Sequence, residues 1–237
     1  MKKILQILLL SIGLTGCASL VLEPVSSSQD ETQRILALDL THAENLIEAS
    51  KLNDNHTISV VTGQLNKARD EKIQAEVDLV ESIKFSEMVV VSDNYSNFTG
   101  SKISESIKKG VLMTDVDFQE YYLSGVKGAN SGLLKHQLHL TIKYNSNDKR
   151  IYSTANVCDK WNRCDLDQRN VTLISSLASN CTSSSCDYTE VMELDLAGYF
   201  LTDKMENGLT MLFNSKKETN KITISSAYIK GYLKVAK

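Results

Sequence analysis

The stretch Leu138–Tyr144 (LHLTIKY) decides the fold class of this 237-residue chain. Apolar and polar side chains alternate along it, which is typical of a β-strand with one buried face and one face in solvent. Further β-forming runs occur on both sides, from about residue 86 to the end, and polar turns such as residues 145–149 separate them. Strands at such short intervals predict an antiparallel sandwich or an open barrel.

Two segments inside this β region are harder to assign. The pattern over Ser101–Lys109 predicts a short helix. The tail Ala227–Val235 contains Tyr and Ile, which favour strands, and also Ala and Lys, which favour helices. The prediction for the tail therefore stays open between a last helix and a last strand.

Two helices are predicted upstream of the β region, because apolar side chains recur there at helical spacings. They are Leu36, Leu40, Ala43 and Ile47 within residues 31–52, and Ala68, Ala75, Leu79 and Ile83 within residues 64–85. The polar residues 51–56 form a break, and residues 58–62 are ambiguous between a short strand and the start of a helix. A short connection between the two helices predicts an antiparallel pair. The predicted fold class is therefore α+β, mainly antiparallel β, with an N-terminal helical pair.

The composition is that of an acidic globular protein. The formal net charge is −3 and the pI is near 5.9, which excludes a generally basic protein that coats nucleic acid. Apolar residues make up 42% of the chain and charged residues 23%, so wholesale disorder is not expected. No nucleic-acid partner is expected either.

The N-terminus has the features of a processing signal. A positive start, Met1-Lys2-Lys3, precedes the almost wholly apolar run Ile4–Leu14. This run is shorter than the roughly 20 residues that a membrane-spanning helix needs, but it fits the apolar core of a secretory signal peptide. Leu14-Thr15-Gly16-Cys17 follows directly. These residues resemble the lipobox of bacterial lipoproteins, in which a small residue precedes the acylated cysteine.

The resemblance implies cleavage before Cys17, a thioether-linked diacylglycerol on its sulfur and acylation, such as by palmitate, of the new amino terminus. More than one acyl chain gives stable membrane anchoring. In Gram-negative lipoproteins of this kind, aspartate after the cysteine tends to hold the protein at the inner membrane. This chain has Ala18 there, so attachment to the outer membrane is expected. The alternative is an ordinary signal peptide, which leaves Cys17 unexplained.

Four segments follow from these patterns. Residues 1–16 are expected to be a cleaved signal peptide, and residues 17–30 a lipidated cysteine with a flexible, polar tether. Residues 31–85 are the helical segment, and residues 86–237 are the β domain.

The remaining cysteines are predicted to form disulfides. They are Cys158, Cys164, Cys181 and Cys186. An even number of cysteines in an oxidising compartment favours disulfides. The local pairing, Cys158–Cys164 with Cys181–Cys186, is preferred because each pair lies in its own polar turn, while the crossed pairings stay open. A zinc site is the less favoured alternative, since structural zinc sites use closer spacings within a pair.

The first of these turns, residues 158–164, is a candidate recognition loop. It presents Lys160, Trp161 and Arg163, and Trp and Arg are common anchors at protein interfaces. The favoured alternative is that Trp161 folds back over the disulfide or over the edge of the sheet.

No catalytic signature is present, and neither a cofactor nor a metal is expected. The histidines are interpreted as surface or boundary residues; they are His42, His56, His136 and His139. The last two lie three residues apart, hence on opposite faces of a strand, where they cannot easily share a metal. Asp165 and Asp167 are a weak calcium candidate without EF-hand spacing. The glycines of Gly125–Gly132 (GVKGANSG) predict a hairpin turn rather than a phosphate loop.

The leading functional hypothesis is a non-catalytic binding, scaffolding or assembly module of the cell envelope, held at the outer membrane and contacting a protein partner. One alternative is an envelope hydrolase or ligand carrier whose site forms only in three dimensions. Another is a subunit of a larger envelope machine that docks through the helices of residues 31–85.

Overall fold

The computed structural model describes residues 25–92, 95–109, 115–128, 131–159, 163–165 and 168–236. The lipobox, with Cys17, lies outside these residues. Lys160 and Trp161 of the candidate recognition loop and Asp167 of the calcium candidate also lie outside them. Across the ranges that are described, no helix is long and apolar enough to cross a membrane.

The chain divides into two compact units, Met1–Lys72 and Ile73–Lys237. The described part of the first unit is helical. It consists of α1 (Val25–Leu36), α2 (His42–Ser50) and the first part of α3 (Asn55–Glu87). Its small core is made by side chains that are at most 1% exposed: Ile35, Ala49, Val61 and Leu65.

The helical segment differs from the predicted pair. The helix predicted over residues 31–52 is two helices, because Asp39 takes a left-handed conformation (φ 53°) and Thr41 then caps α2 in a capping box with Glu44. The second predicted helix extends well beyond residues 64–85, as α3. The predicted tether is also too long, since α1 begins at Val25 and residues 25–30 are helical.

The second unit is mainly β. After α3 it contains β1 (Val90–Val91), β2 (Asn97–Thr99), β3 (Ile103–Lys109), β4 (Asp115–Lys127), β5 (Leu134–Ser146), β6 (Thr154–Cys158), β7 (Arg169–Asn170), β8 (Thr172–Ser179), β9 (Cys186–Leu196), α4 (Gly198–Asp203), β10 (Leu209–Asn214), β11 (Thr219–Ile224) and α5 (Ser226–Val235). Among the described strands, seven form a sheet in the order β1-β2-β4-β5-β9-β8, with β3 also paired to β4. Four form a second sheet in the order β11-β10-β6-β7. Each ladder is antiparallel, so the predicted α+β class is confirmed.

The alternation that predicted strand β5 also sorts its two faces. Leu138, Leu140 and Ile142 are at most 1% exposed, whereas the residues between them face away from the core. The inner faces of both sheets and α5 contribute to one hydrophobic core, in a sandwich-like arrangement. The opposite face of the seven-stranded sheet, which carries polar side chains, is called the outer face below.

The structure settles the two ambiguous segments. The helix predicted over Ser101–Lys109 is wrong, because Ile103–Lys109 is strand β3 and pairs along its length with β4. Its two isoleucines, Ile103 and Ile107, lie four residues apart, a spacing that fits one face of a helix and one face of a strand equally well. The tail is a helix, α5, whose N-cap Ser225 accepts a hydrogen bond from the backbone N–H of Tyr228.

The cysteines form the local disulfides, Cys158–Cys164 and Cys181–Cys186. The first closes the turn after β6, and the second closes the turn between β8 and β9. The local pairing is therefore confirmed, and the crossed pairings and the zinc alternative are wrong.

A charged group lies buried where β5 connects to β6. The guanidinium of Arg150 donates to both carboxylate oxygens of Asp117, with 3.1 Å between Nη2 and Oδ1, and lies 4.0 Å from the ring centroid of Tyr144. Glu190 is inaccessible to solvent and accepts hydrogen bonds from the Tyr144 hydroxyl and from the backbone N–H of Ile151, a residue in the left-handed region (φ 56°). We call Asp117, Tyr144, Arg150 and Glu190 the Arg150 cluster.

Candidate functional site

The candidate recognition loop is described only in part. Arg163 is exposed and pairs with Asp159 of the same loop, with 2.7 Å between Nη2 and Oδ2. Asp165, from the calcium candidate, accepts the backbone N–H of Val157 at 3.0 Å. Both charged side chains therefore stabilise the turn in which they lie.

The histidines are distributed over both units. In the first unit, Nε2 of His42 lies 3.0 Å from Oδ1 of Asn66, and His56 is exposed at the start of α3. In the second unit, His136 and His139 lie on opposite faces of β5, as their spacing predicts. His136 and His139 therefore belong to two separate arrangements of side chains, which are described in turn.

The first arrangement is a groove of about 520 Å³ that is lined by α4, α5 and the first residues of β5. Its volume is within the range of small-molecule sites, roughly 300–1,000 Å³. Apolar side chains line much of it: Leu134, Met205, Leu233 and Ala236. The polar part of the lining includes His136, Lys230 and Lys234.

His136 forms part of the inner wall of the groove, so the interpretation of this histidine as a surface or boundary residue is wrong. It is 4% exposed, and its Nδ1 lies 2.9 Å from the hydroxyl of Tyr232 on α5. Burial lowers the pKa of His136 and raises the pKa of Tyr232, so a neutral imidazole and a protonated phenol share this hydrogen bond. The other ring nitrogen, Nε2, lies 3.8 Å from where a Cβ at Gly198 of the groove wall would stand.

A glycine in β4 makes room for this contact. A Cβ at Gly125 would lie 2.5 Å from the Tyr232 hydroxyl, so a larger residue would displace the tyrosine. The other two glycines of the motif, Gly128 and Gly132, lie in the turn between β4 and β5, and Gly132 has a φ of +64°. The predicted hairpin turn is thereby confirmed.

Two cations stand beside the apolar lining of the groove. Nζ of Lys230 lies 3.2 Å from Oε2 of Glu206, which is itself largely exposed. Lys234 is exposed in the last turn of α5. The charge of Lys230 also helps to lower the pKa of Asp78 on α3, so both Glu206 and Asp78 lie within electrostatic reach of this lysine.

The second arrangement lies on the outer face. His139 of β5 is directly opposite Tyr122 of β4 and Glu193 of β9. Ser124 lies two residues after Tyr122 in β4, on the same face of the sheet. Ser124 Oγ lies 2.7 Å from His139 Nε2, and His139 Nδ1 lies 3.1 Å from Glu193 Oε1. The rings of His139 and Tyr122 stack with centroids 4.5 Å apart. We call Ser124, His139 and Glu193 the outer-face relay.

The sequence did not reveal this relay, because its members are separated by 15 and 54 positions along the chain. Only the pairing register brings them together. The one signal in the sequence was the outward position of His139 in the alternating stretch, which showed that the ring is not part of the core.

The part of α3 that belongs to the second unit, residues 73–87, exposes apolar side chains. Five on α3 are between 41% and 62% exposed: Ile73, Val77, Leu79, Val80 and Ile83. This surface is the part of the predicted helical segment most relevant to the hypothesis of a docking subunit.

Comparison with family models, curated proteins and solved structures finds no match to this chain. Its function must therefore be argued from the chemistry of these groups.

Proposed function

We propose that this chain is a lipid-anchored protein of the bacterial outer membrane that binds an amphipathic anion in the groove between α4 and α5. The observation that carries the proposal is the combination of an apolar lining with two lysines, Lys230 and Lys234. The ligand class is an acyl chain or similar apolar group that ends in a carboxylate or a phosphate.

Each part of such a ligand finds a matching part of the groove. The apolar chain would cover Leu134, Met205 and Leu233, and burying it contributes about 25 cal/mol for each Å² removed from water. The anionic group would pair with Lys234 and compete with Glu206 for Lys230. His136 adds a polar group to this mostly apolar lining, and such convergent polar groups orient ligands in apolar sites.

A fluorescent fatty acid tests this assignment. We expect Leu233→Glu to raise its Kd at least about tenfold, equivalent to about 1.4 kcal/mol, because the new carboxylate repels the ligand and makes the lining polar. Lys234→Glu should weaken binding of the acid but change binding of the matching uncharged alcohol much less. Fluorescence titration measures all of these affinities.

The matched control is Lys108→Glu, which makes the same charge change at an exposed position on β3. It should leave the Kd close to the wild-type value. An equal loss of affinity in Lys108→Glu and Lys234→Glu would show that overall charge, and not the groove, determines binding. Unchanged binding by Leu233→Glu would refute the groove as the site.

The anchor is tested separately, at Cys17. Replacing Cys17 with Ser removes the thiol that would carry the lipid, so we expect the protein to lose its acyl chains and to move to the soluble fraction. Ala18→Asp should keep the lipid but shift the protein towards the inner membrane. Metabolic labelling with a palmitate analogue and membrane fractionation measure both outcomes. Retention of Cys17→Ser in membranes would contradict the anchor.

A further inference from the structure

We infer that Ser124 is a nucleophile for acyl transfer from carboxylic esters, with His139 as its base and Glu193 as the positioning residue. The inference rests on the geometry of the outer-face relay and is independent of the groove. A hydroxyl, an imidazole and a carboxylate hydrogen-bonded in this order are the arrangement by which unrelated folds activate serine.

The distances fit the roles. Hydrogen bonds between a nucleophile and its base are about 2.6–3.2 Å long, and the Ser124–His139 distance of 2.7 Å is within that range. Glu193 contacts the other ring nitrogen, Nδ1, at 3.1 Å. With the Nδ1 proton held by the carboxylate, the lone pair of Nε2 faces the Ser124 hydroxyl, as a general base requires.

The surroundings keep His139 neutral while leaving it in reach of solvent. Its side chain is 16% exposed, and burial lowers its pKa, an effect that Glu193 partly opposes. The ring packs against Tyr122; on that side the nearby cation is Lys102, whose Nζ lies 5.7 Å from the Tyr122 centroid and pairs with Glu120 at 3.1 Å. Glu193 is thus the carboxylate in direct contact with the imidazole in the described structure.

The chemical steps balance within the relay. Ser124 Oγ attacks the ester carbonyl carbon while its proton passes to His139 Nε2, and Glu193 stabilises the imidazolium. The bond from the carbonyl carbon to the leaving oxygen breaks, and His139 returns the proton to the departing alcohol. A water molecule then attacks the acyl-serine, gives one proton through His139 to Ser124 Oγ, and releases the acid.

The backbone near Ser124 limits the expected rate. The N–H of Leu123 is donated to the Tyr228 hydroxyl at 3.1 Å, and β4 around Ser124 is paired with neighbouring strands on both sides. Losing a single oxyanion donor typically slows acyl transfer by about 10²–10³. We therefore expect slow turnover of activated esters with small acyl groups, together with stoichiometric reaction with a fluorophosphonate.

The test is labelling of the full chain with a fluorophosphonate probe, followed by peptide mapping. We expect phosphonylation of Ser124 in the wild type and none in Ser124→Ala. His139→Gln should slow labelling about 100-fold, within the usual contribution of a general base. Ser106→Ala, which removes an exposed hydroxyl from the neighbouring strand β3, is the matched control and should be labelled at the wild-type rate.

The pH profile distinguishes activation from a merely structural contact. Labelling requires neutral His139, so its rate should rise with pH through the His139 pKa, below the ordinary value of 6.5. Glu193→Gln should reduce the rate and also move this rise to lower pH, because Glu193 raises the His139 pKa. If labelling did not depend on neutral His139, its rate would not follow this profile, and Glu193→Gln would leave the midpoint unchanged.

Three outcomes would overturn the inference. They are an unlabelled wild type under conditions that label a known serine hydrolase, equal labelling of Ser124→Ala, and a mapped adduct at another residue. Circular dichroism spectra that match the wild type would show that loss of labelling in Ser124→Ala does not come from misfolding.

Discussion

Replacing Arg150 with Met is expected to lower the free energy of unfolding by about 3–5 kcal/mol, the usual loss when one partner of a buried ion pair is removed. Arg150 and Asp117 have side chains only 9% and 3% exposed. Burial opposes the charged guanidinium, yet its hydrogen bonds with Asp117 and Tyr152 raise the Arg150 pKa. Met fills a similar volume but removes both of the hydrogen bonds that the guanidinium donates to the buried Asp117 carboxylate.

The contacts of the Arg150 cluster explain why structural rearrangement should not restore the lost stability. Asp117 also accepts the side-chain amide of Asn220 on β11 at 3.3 Å, and Tyr152 donates to Asn220 at 2.5 Å. The cluster therefore joins residues of both sheets across the core. Loss of the guanidinium therefore leaves a buried carboxylate that has lost its charged donor, at a place where both sheets limit rearrangement.

Urea unfolding followed by circular dichroism measures the effect, and two variants control it. Lys149→Met removes a cation from the adjacent, exposed position and should change stability by less than about 0.5 kcal/mol. Arg150→Met combined with Asp117→Asn removes the stranded charge, so it should recover about 1–3 kcal/mol of the loss. A double variant no more stable than Arg150→Met would show that the loss comes from packing alone.

The sequence predicted those parts of the fold that depend on local pattern. The alternation over Leu138–Tyr144 gave both the strand and its buried face. The assignment of Ser101–Lys109 failed because a four-residue apolar spacing is compatible with a helix and a strand, and pairing with β4 decides between them. The prediction for the tail stayed open for a similar reason, since its helix is stabilised by burial of six of its ten residues and not by propensity.

The candidate sites depend on register and could not be predicted. Ser124 and Glu193 show nothing unusual in their own strands, and only the β4–β5 and β5–β9 ladders bring them to His139. The groove requires α5 to lie where Tyr232 reaches His136, 96 positions earlier in the chain. Single residues thus indicated which face they occupy, but not which partners they meet there.

The packing of α5 leads to the second large expected effect. Gly231→Ala should lower the free energy of unfolding by about 1–3 kcal/mol, the usual loss from overpacking. A Cβ at Gly231 would lie 2.5 Å from the backbone oxygen of Ser82 and 2.6 Å from Cβ of Phe85, both on α3. Neither atom belongs to the far end of a flexible side chain, so the two helices must separate.

Gly63→Ala is the matched control, because it makes the same substitution at an exposed position inside a helix where a Cβ has nothing within 4 Å. Ala is favoured over Gly within a helix by about 1 kcal/mol, so this variant should be stabilised. The higher helix propensity of Ala acts in both variants. If urea unfolding shows a loss of stability for Gly231→Ala and a gain for Gly63→Ala, the difference comes from the contact between α3 and α5. Two stabilised variants would contradict the close approach of these helices.

The same contact links the packing of α5 to the groove. Because Tyr232 follows Gly231 directly, Gly231→Ala should also displace Tyr232 and weaken fatty-acid binding in the groove, whereas Gly63→Ala should not.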